Sequence, residues 1–129
     1  MPKPKILIVD DEEDIRVRLA KLISRRLGCD VEEAPDGTTA LEKLKKDKFD
    51  LVVLDIKMPG LSDIDVIREA LKFTPETKFL AVSAYDSHEV ADAALSAGAE
   101  DFLSKPLTPE ALELKIKDIL IKSGKLSGR

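Results

Sequence analysis

The chain has 129 residues, 43% of them hydrophobic and 36% charged, a balance that supports one globular core and excludes a disordered polymer. Its formal charge of −4 argues against nucleic acid as the partner of this domain, because phosphate backbones recruit basic surfaces. The single cysteine, Cys29, excludes an internal disulfide and fits a cytoplasmic setting, and neither a signal-peptide core nor an apolar run of about 20 residues is present to suggest a membrane.

Short apolar runs alternate with helical patterns five times. Lys5–Val9 is a compact apolar run closed by acidic residues, which predicts a strand buried on both faces. Over Glu13–Leu27, residues Ile15, Leu19, Leu22, Ile23 and Leu27 recur at helical spacing, and Gly28 predicts the stop. Cys29–Glu33 is a shorter, more polar strand expected near a sheet edge, with Cys29 read as a small buried hydrophobe. Pro35-Asp36-Gly37 makes a turn, and Thr38–Lys46 aligns Ala40, Leu41 and Leu44 on one helical face. The charges of Lys43–Lys48 read as a solvated helix face.

The second half repeats the unit. Asp50–Leu54 predicts a strand that runs into Asp55, followed by a Met58-Pro59-Gly60 loop and a helix over Ile64–Lys72. Lys78–Val82 is the fourth strand, His88–Ala97 an alanine-rich helix that stops before Gly98, and Asp101–Leu103 a brief fifth strand. Thr108 is a good N-cap with Pro109 at the first helical position, and Leu112, Ile116, Ile119 and Leu120 form the last stripe. Five βα units on short connections predict an α/β fold, a doubly wound five-stranded parallel sheet with helices on both faces. Residues 1–122 are expected to form the domain, and the patternless 123–129 a flexible tail or linker remnant.

In such sheets ligands bind at the carboxyl ends of the strands. There the sequence places Asp10 and Asp11, Asp55, Ser83, and Lys105 before Pro106. Two carboxylates about 4 Å apart repel by roughly 4 kcal/mol at an effective dielectric near 20, so either a proton or a cation must sit among them. Oxygen ligands without Cys or His suit a hard divalent ion, Mg2+ or Mn2+. An acidic metal site beside a hydroxyl and an ammonium fits phosphoryl transfer, which is mostly positioning and charge neutralisation. Asp55 is then the candidate nucleophile, since a carboxylate can form an acyl phosphate directly.

The motifs ILIVDDEEDIR, APDGTTALE, FDLVVLDIKMPG, FLAVSAY and AGAEDFLSKP resemble the receiver domain of two-component response regulators, from about Lys5 to Ile121. The resemblance implies a flavodoxin-like strand order, 2-1-3-4-5. It implies that Asp55 is the phosphoacceptor and is served by a phosphohistidine on a histidine kinase or phosphotransfer protein. Asp11 would ligate Mg2+ directly, Asp10 mainly through water, and the Lys57 backbone carbonyl would complete the site. Ser83 would hydrogen-bond the phosphoryl group, Lys105 would pair with it, and the Lys105–Pro106 bond would be cis.

Phe102 falls at the family's aromatic switch position; lacking a hydroxyl, it would signal through packing and ring orientation. The fourth helix, fifth strand and fifth helix would present the output surface to an unknown downstream protein or output domain, with a phosphorylation-dependent homodimer left open. The domain is thus expected to be a regulatory phosphoacceptor that catalyses its own phosphoryl transfer and slow dephosphorylation. Three departures stand out. Asp63 replaces a usual loop glycine, where its tolerance of left-handed backbone should preserve the loop, and Lys57 and Tyr85 occupy positions that tune phosphate loss. A phosphohydrolase working through an aspartyl phosphate is disfavoured, because it needs a second acid where Lys57 stands. His88 is read as an exposed helix opener without a chemical role.

Overall fold

The computed structural model describes residues 3–57, 61–84 and 88–126, the side chains of Leu61 and Ser62 excepted. The Met58-Pro59-Gly60 loop, Tyr85 and residues 127–129 therefore lie outside the described residues. Five strands, β1 (Lys5–Val9), β2 (Asp30–Ala34), β3 (Leu51–Ile56), β4 (Lys78–Ser83) and β5 (Asp101–Ser104), alternate with five helices. The helices are α1 (Glu13–Leu27), α2 (Gly37–Lys46), α3 (Leu61–Phe73), α4 (His88–Ala97) and α5 (Pro109–Lys122). All strand pairs are parallel and run in the order β2-β1-β3-β4-β5. Among the described residues no helix is long and apolar enough to cross a membrane.

The period-two pleat of a strand sends alternate residues to opposite faces, and two cores result. Leu7, Val9, Val52, Leu54, Ile56, Phe79 and Ala81 face α2, α3 and α4. Ile6, Ile8, Leu51, Val53, Leu80 and Val82 face α1 and α5, meeting Ile23, Leu112, Ile116 and Leu120. Each such Leu, Ile or Phe removed from water contributes about 1.5–3 kcal/mol, which is why the central strands β1, β3 and β4 are nearly all apolar. The polar β2 lies at the edge, as its composition predicts.

Helix ends follow local chemistry. Gly28 adopts φ 63°, and its N–H bonds to the Ser24 carbonyl to close α1. The Asp36 side chain accepts from Thr39 N–H at the start of α2, and Thr108 accepts from Ala111 N–H at the start of α5. A Cβ on Gly37 would lie 2.5 Å from Val66 Cγ2, so α2 begins where only hydrogen fits against α3. The Lys43–Lys48 stretch is a solvated, ion-paired face: Lys43 reaches Glu32 at 3.2 Å and Lys48 reaches Glu76 at 3.6 Å.

Several boundaries differ from expectation. β2 runs over Asp30–Ala34 rather than Cys29–Glu33, because the parallel register begins with Lys5 opposite Asp30. Cys29 just before it is buried, and burial pushes its thiol pKa up. β3 extends past Leu54 to Ile56 because Val82 and Ser83 of β4 continue the ladder beside Asp55 and Ile56. α3 starts at Leu61, ahead of the apolar stripe that marks Ile64; its first turn carries Asp63, and helix N-termini favour acidic groups. Beyond α5, the described residues reach Leu126. Leu126 packs against the α1–α5 core, and Lys125 Nζ lies 3.6 Å from Asp50 Oδ1.

Candidate functional site

Strand register assembles the rim. Asp10 follows Val9, which lies opposite Leu54, so Asp10 and Asp55 leave neighbouring strands at the same level. Each continues the alternation of the α1–α5 face, Asp10 after Ile6 and Ile8, Asp55 after Leu51 and Val53. Lys105 follows Leu103 on that face by the same alternation, and its N–H donates to the Ser83 carbonyl at 2.8 Å. Ser83 and Phe102 continue the opposite parity, the α2–α4 side, where Phe102 packs half-buried against the core.

Asp10 and Asp55 are buried carboxylates, with side chains only 3% and 6% exposed, whereas Asp11 is 65% exposed. Lys105 Nζ lies 2.9 Å from Asp55 Oδ2. Lys57 Nζ lies 2.8 Å from the same oxygen, 2.6 Å from Glu12 Oε1, 3.5 Å from Asp11 Oδ1 and 3.6 Å from Asp10 Oδ1. Glu12 N–H donates to Asp10 Oδ1 at 2.9 Å, and the Arg16 guanidinium donates to the Asp10 carbonyl at 3.0 Å. Asp55 Oδ1, by contrast, is buried without a hydrogen-bond partner among the described residues. The cavity in front of these groups holds about 280 Å³ and is lined by Asp10, Asp11, Asp36, Asp55, Lys57 and Asp63.

The electrostatics follow from this crowding. Burial pushes the Asp10 carboxyl above its ordinary value; the Glu12 N–H opposes that, the Asp55 charge adds to it, and Lys57 and Lys105 oppose it. Burial works against the Lys57 ammonium, yet hydrogen bonds to Asp55 and Glu12 and the charges of Asp55 and Asp10 outweigh it. The net result raises Lys57 above the usual lysine value. Carboxylates therefore outnumber ammonium groups in a partly dry pocket.

Of the residues singled out in the sequence, Asp10, Asp11, Asp55, Lys57 and Lys105 come together at one rim. Ser83 is fully buried at the end of β4, opposite Ser104 of β5, and the Lys105–Pro106 peptide bond is cis. His88 is exposed at the start of α4. Asp63 departs from expectation: the described residues show no left-handed backbone outside glycine. Asp63 instead sits in the first turn of α3, where its carboxylate accepts the Lys57 N–H at 3.0 Å. One participant was missed, Glu12, and so was the direction of the Lys57 side chain. Asp10, Asp11 and Glu12 present carboxylate oxygens within 4.8 Å of one another. The acidic run Asp10–Glu13 was the signal for Glu12; no residue pattern encodes the direction of the Lys57 side chain.

The donor set suits a hard divalent cation: all oxygen, several negative charges, and one buried carboxylate oxygen left without a proton donor. The response regulator receiver domain family matches residues 6–117. The chain is 40% identical to the chemotaxis protein CheY of Thermotoga maritima over 81% of this chain and 88% of that protein. It is 38% identical to the alkaline phosphatase synthesis transcriptional regulatory protein PhoP of Bacillus subtilis, over 92% of this chain but 49% of the relative, so it spans about half that protein. Among solved structures, a CheY-like response regulator receiver domain protein from Methanospirillum hungatei JF-1 is similar with a TM-score of 0.87 at 32% identity, over 95% of this chain and 98% of the other.

Proposed function

The chain belongs to the response regulator receiver domain family, and from that premise we propose that Asp55 is the phosphoacceptor of a switch driven by a histidine kinase or a phosphotransfer protein. The observation that carries the assignment is the convergence of Asp10, Lys57 and Lys105 on Asp55, whose second oxygen is buried with no hydrogen-bond partner among the described residues. An oxygen of the Asp55 carboxylate attacks phosphorus as the phosphorus–nitrogen bond of the phosphohistidine breaks, and the imidazole leaves with the bonding pair. Lys105, already 2.9 Å from Asp55, then pairs with the new phosphoryl oxygens, and the Ser83 hydroxyl donates to another. A divalent ion, Mg2+ or Mn2+, held by Asp10, Asp11, Asp55 and the Lys57 carbonyl would supply neutralisation of phosphoryl charge.

Phosphorylation adds close to two negative charges to a rim that already carries several. Moving a population from 1:99 to 99:1 requires about 5.5 kcal/mol, and a few charge-assisted hydrogen bonds of roughly 1.5–3 kcal/mol each supply it. Ser83 and Phe102 lie on the α2–α4 side of the sheet, so the pull toward phosphate at Ser83 is passed to the packing of Phe102. The altered surface of α4, β5 and α5 then meets a downstream protein or output domain, or a second phosphorylated copy, in the cytoplasm.

The test is intact-mass measurement after incubation with a small phosphodonor and Mg2+. The wild type is expected to gain one phosphoryl group, and Asp55→Asn none. Equal labelling of the variant would overturn the assignment.

A further inference from the structure

Building on that reading, we propose that the Lys57 ammonium is a built-in counter-cation, which compensates the acidic pocket before a divalent ion arrives and must be displaced for that ion to bind. Four carboxylates surround Lys57 Nζ: Asp55, Glu12, Asp11 and Asp10, at 2.8, 2.6, 3.5 and 3.6 Å. Asp10, Asp11 and Asp55 are the same side chains that would hold the metal. A divalent ion within coordination reach of these oxygens, about 2.0–2.1 Å for Mg2+, and an ammonium within hydrogen-bond reach of them would stand at distances where like charges repel strongly. The two cations therefore compete for one set of oxygens.

The surroundings supply a way out for the displaced group. The Lys57 side chain is one-third exposed, and Glu12, its shortest partner, is more than half exposed at the outer edge. Asp63 fixes the Lys57 backbone by accepting its N–H, so the side chain swings while the main chain, with the carbonyl that would face the metal, stays in place. Lys105 is not equivalent. Among the described residues its ammonium pairs with the Asp55 carboxylate, so it sits on the acceptor rather than among the acids. The lysine two residues beyond the acceptor thus sets how much divalent ion is needed to arm the site.

The experiment is calorimetric titration of Mg2+ into the wild-type chain, Lys57→Gln and Lys43→Gln, the last removing an equal charge from a remote pair with Glu32. Lys57→Gln is expected to bind Mg2+ about tenfold more tightly, and Lys43→Gln to match the wild type. In the wild type, the nitrogen resonance of the Lys57 ammonium is expected to shift on adding Mg2+ as its carboxylate partners are taken. Equal or weaker Mg2+ binding by Lys57→Gln, or equal tightening by Lys43→Gln, overturns the counter-cation. An unmoved Lys57 resonance with Mg2+ bound also overturns it. Failure of all three proteins to bind Mg2+ removes the metal reading beneath it as well, whereas phosphodonor labelling of Asp55 tests the acceptor assignment separately.

Discussion

The two ends of the sheet both bury polar groups, and they treat them differently. At the amino-terminal end, Lys5 N–H donates to Asp50 Oδ2 at 2.8 Å and Asp50 N–H returns a bond to the Lys5 carbonyl at 2.8 Å. Thr77 Oγ1 donates to the Phe49 carbonyl at 2.8 Å and lies 2.7 Å from Thr74 Oγ1, while Lys5 Nζ lies 4.9 Å from the centre of the Phe49 ring. At the carboxyl end, two ammonium groups crowd one oxygen of Asp55 while the other has no hydrogen-bond partner among the described residues. A satisfied buried network adds rigidity, whereas an unsatisfied one has a large energetic penalty unless a further group completes it. The first end is built to stay as it is, and the second to receive something.

That contrast can be broken at either end. The largest effect is expected from Asp55→Asn, which should abolish labelling by a small phosphodonor in intact-mass measurements. Next comes Lys105→Met, which removes one charge-assisted partner of the phosphoryl group; at roughly 1.5–3 kcal/mol it should slow labelling about ten- to hundredfold in a stopped time course. Thr77→Val at the opposite end should lose about 1–3 kcal/mol of stability in urea unfolding, because the buried Phe49 carbonyl loses its donor. Its labelling rate should be unchanged. A Thr77→Val protein with normal stability and impaired labelling would reverse the roles assigned to the two ends.

The smallest effect concerns pH. Hydrogen bonding to Lys5 lowers the Glu32 pKa against the opposing effect of burial, with Lys43 adding to it. A depressed folded-state carboxylate contributes stability that is present above its unfolded value and lost as pH falls through its folded value. Thermal unfolding across the acid range should therefore fall less steeply in Glu32→Gln than in the wild type. Because Glu32 is one-third exposed, solvent screening keeps the difference small.

Much of this was legible before any coordinates. Central strands buried on both faces read as apolar runs, and the carboxyl rim follows from the ends of those runs, so Asp10, Asp55 and Lys105 could be placed from sequence. What escaped were a side-chain direction, a helix start and a buried network. The Lys57 side chain is long and flexible, with an ammonium far from its backbone, so its position among four acids could not be deduced from spacing. Asp63 was read as a loop residue because the apolar stripe of α3 starts only at Ile64, although the helix begins at Leu61. The Thr74–Thr77–Phe49 network joins residues far apart in sequence through a carbonyl, and no side-chain pattern encodes that.

The pleat has one more consequence. Because alternate residues of a strand point to opposite sides, Asp55 and Lys105 belong to one side of the sheet and Ser83 and Phe102 to the other. The mouth of β4, where the Lys105 N–H meets the Ser83 carbonyl, is where the two sides of the sheet touch, so the proposed switch would have to pass its signal across that backbone bond.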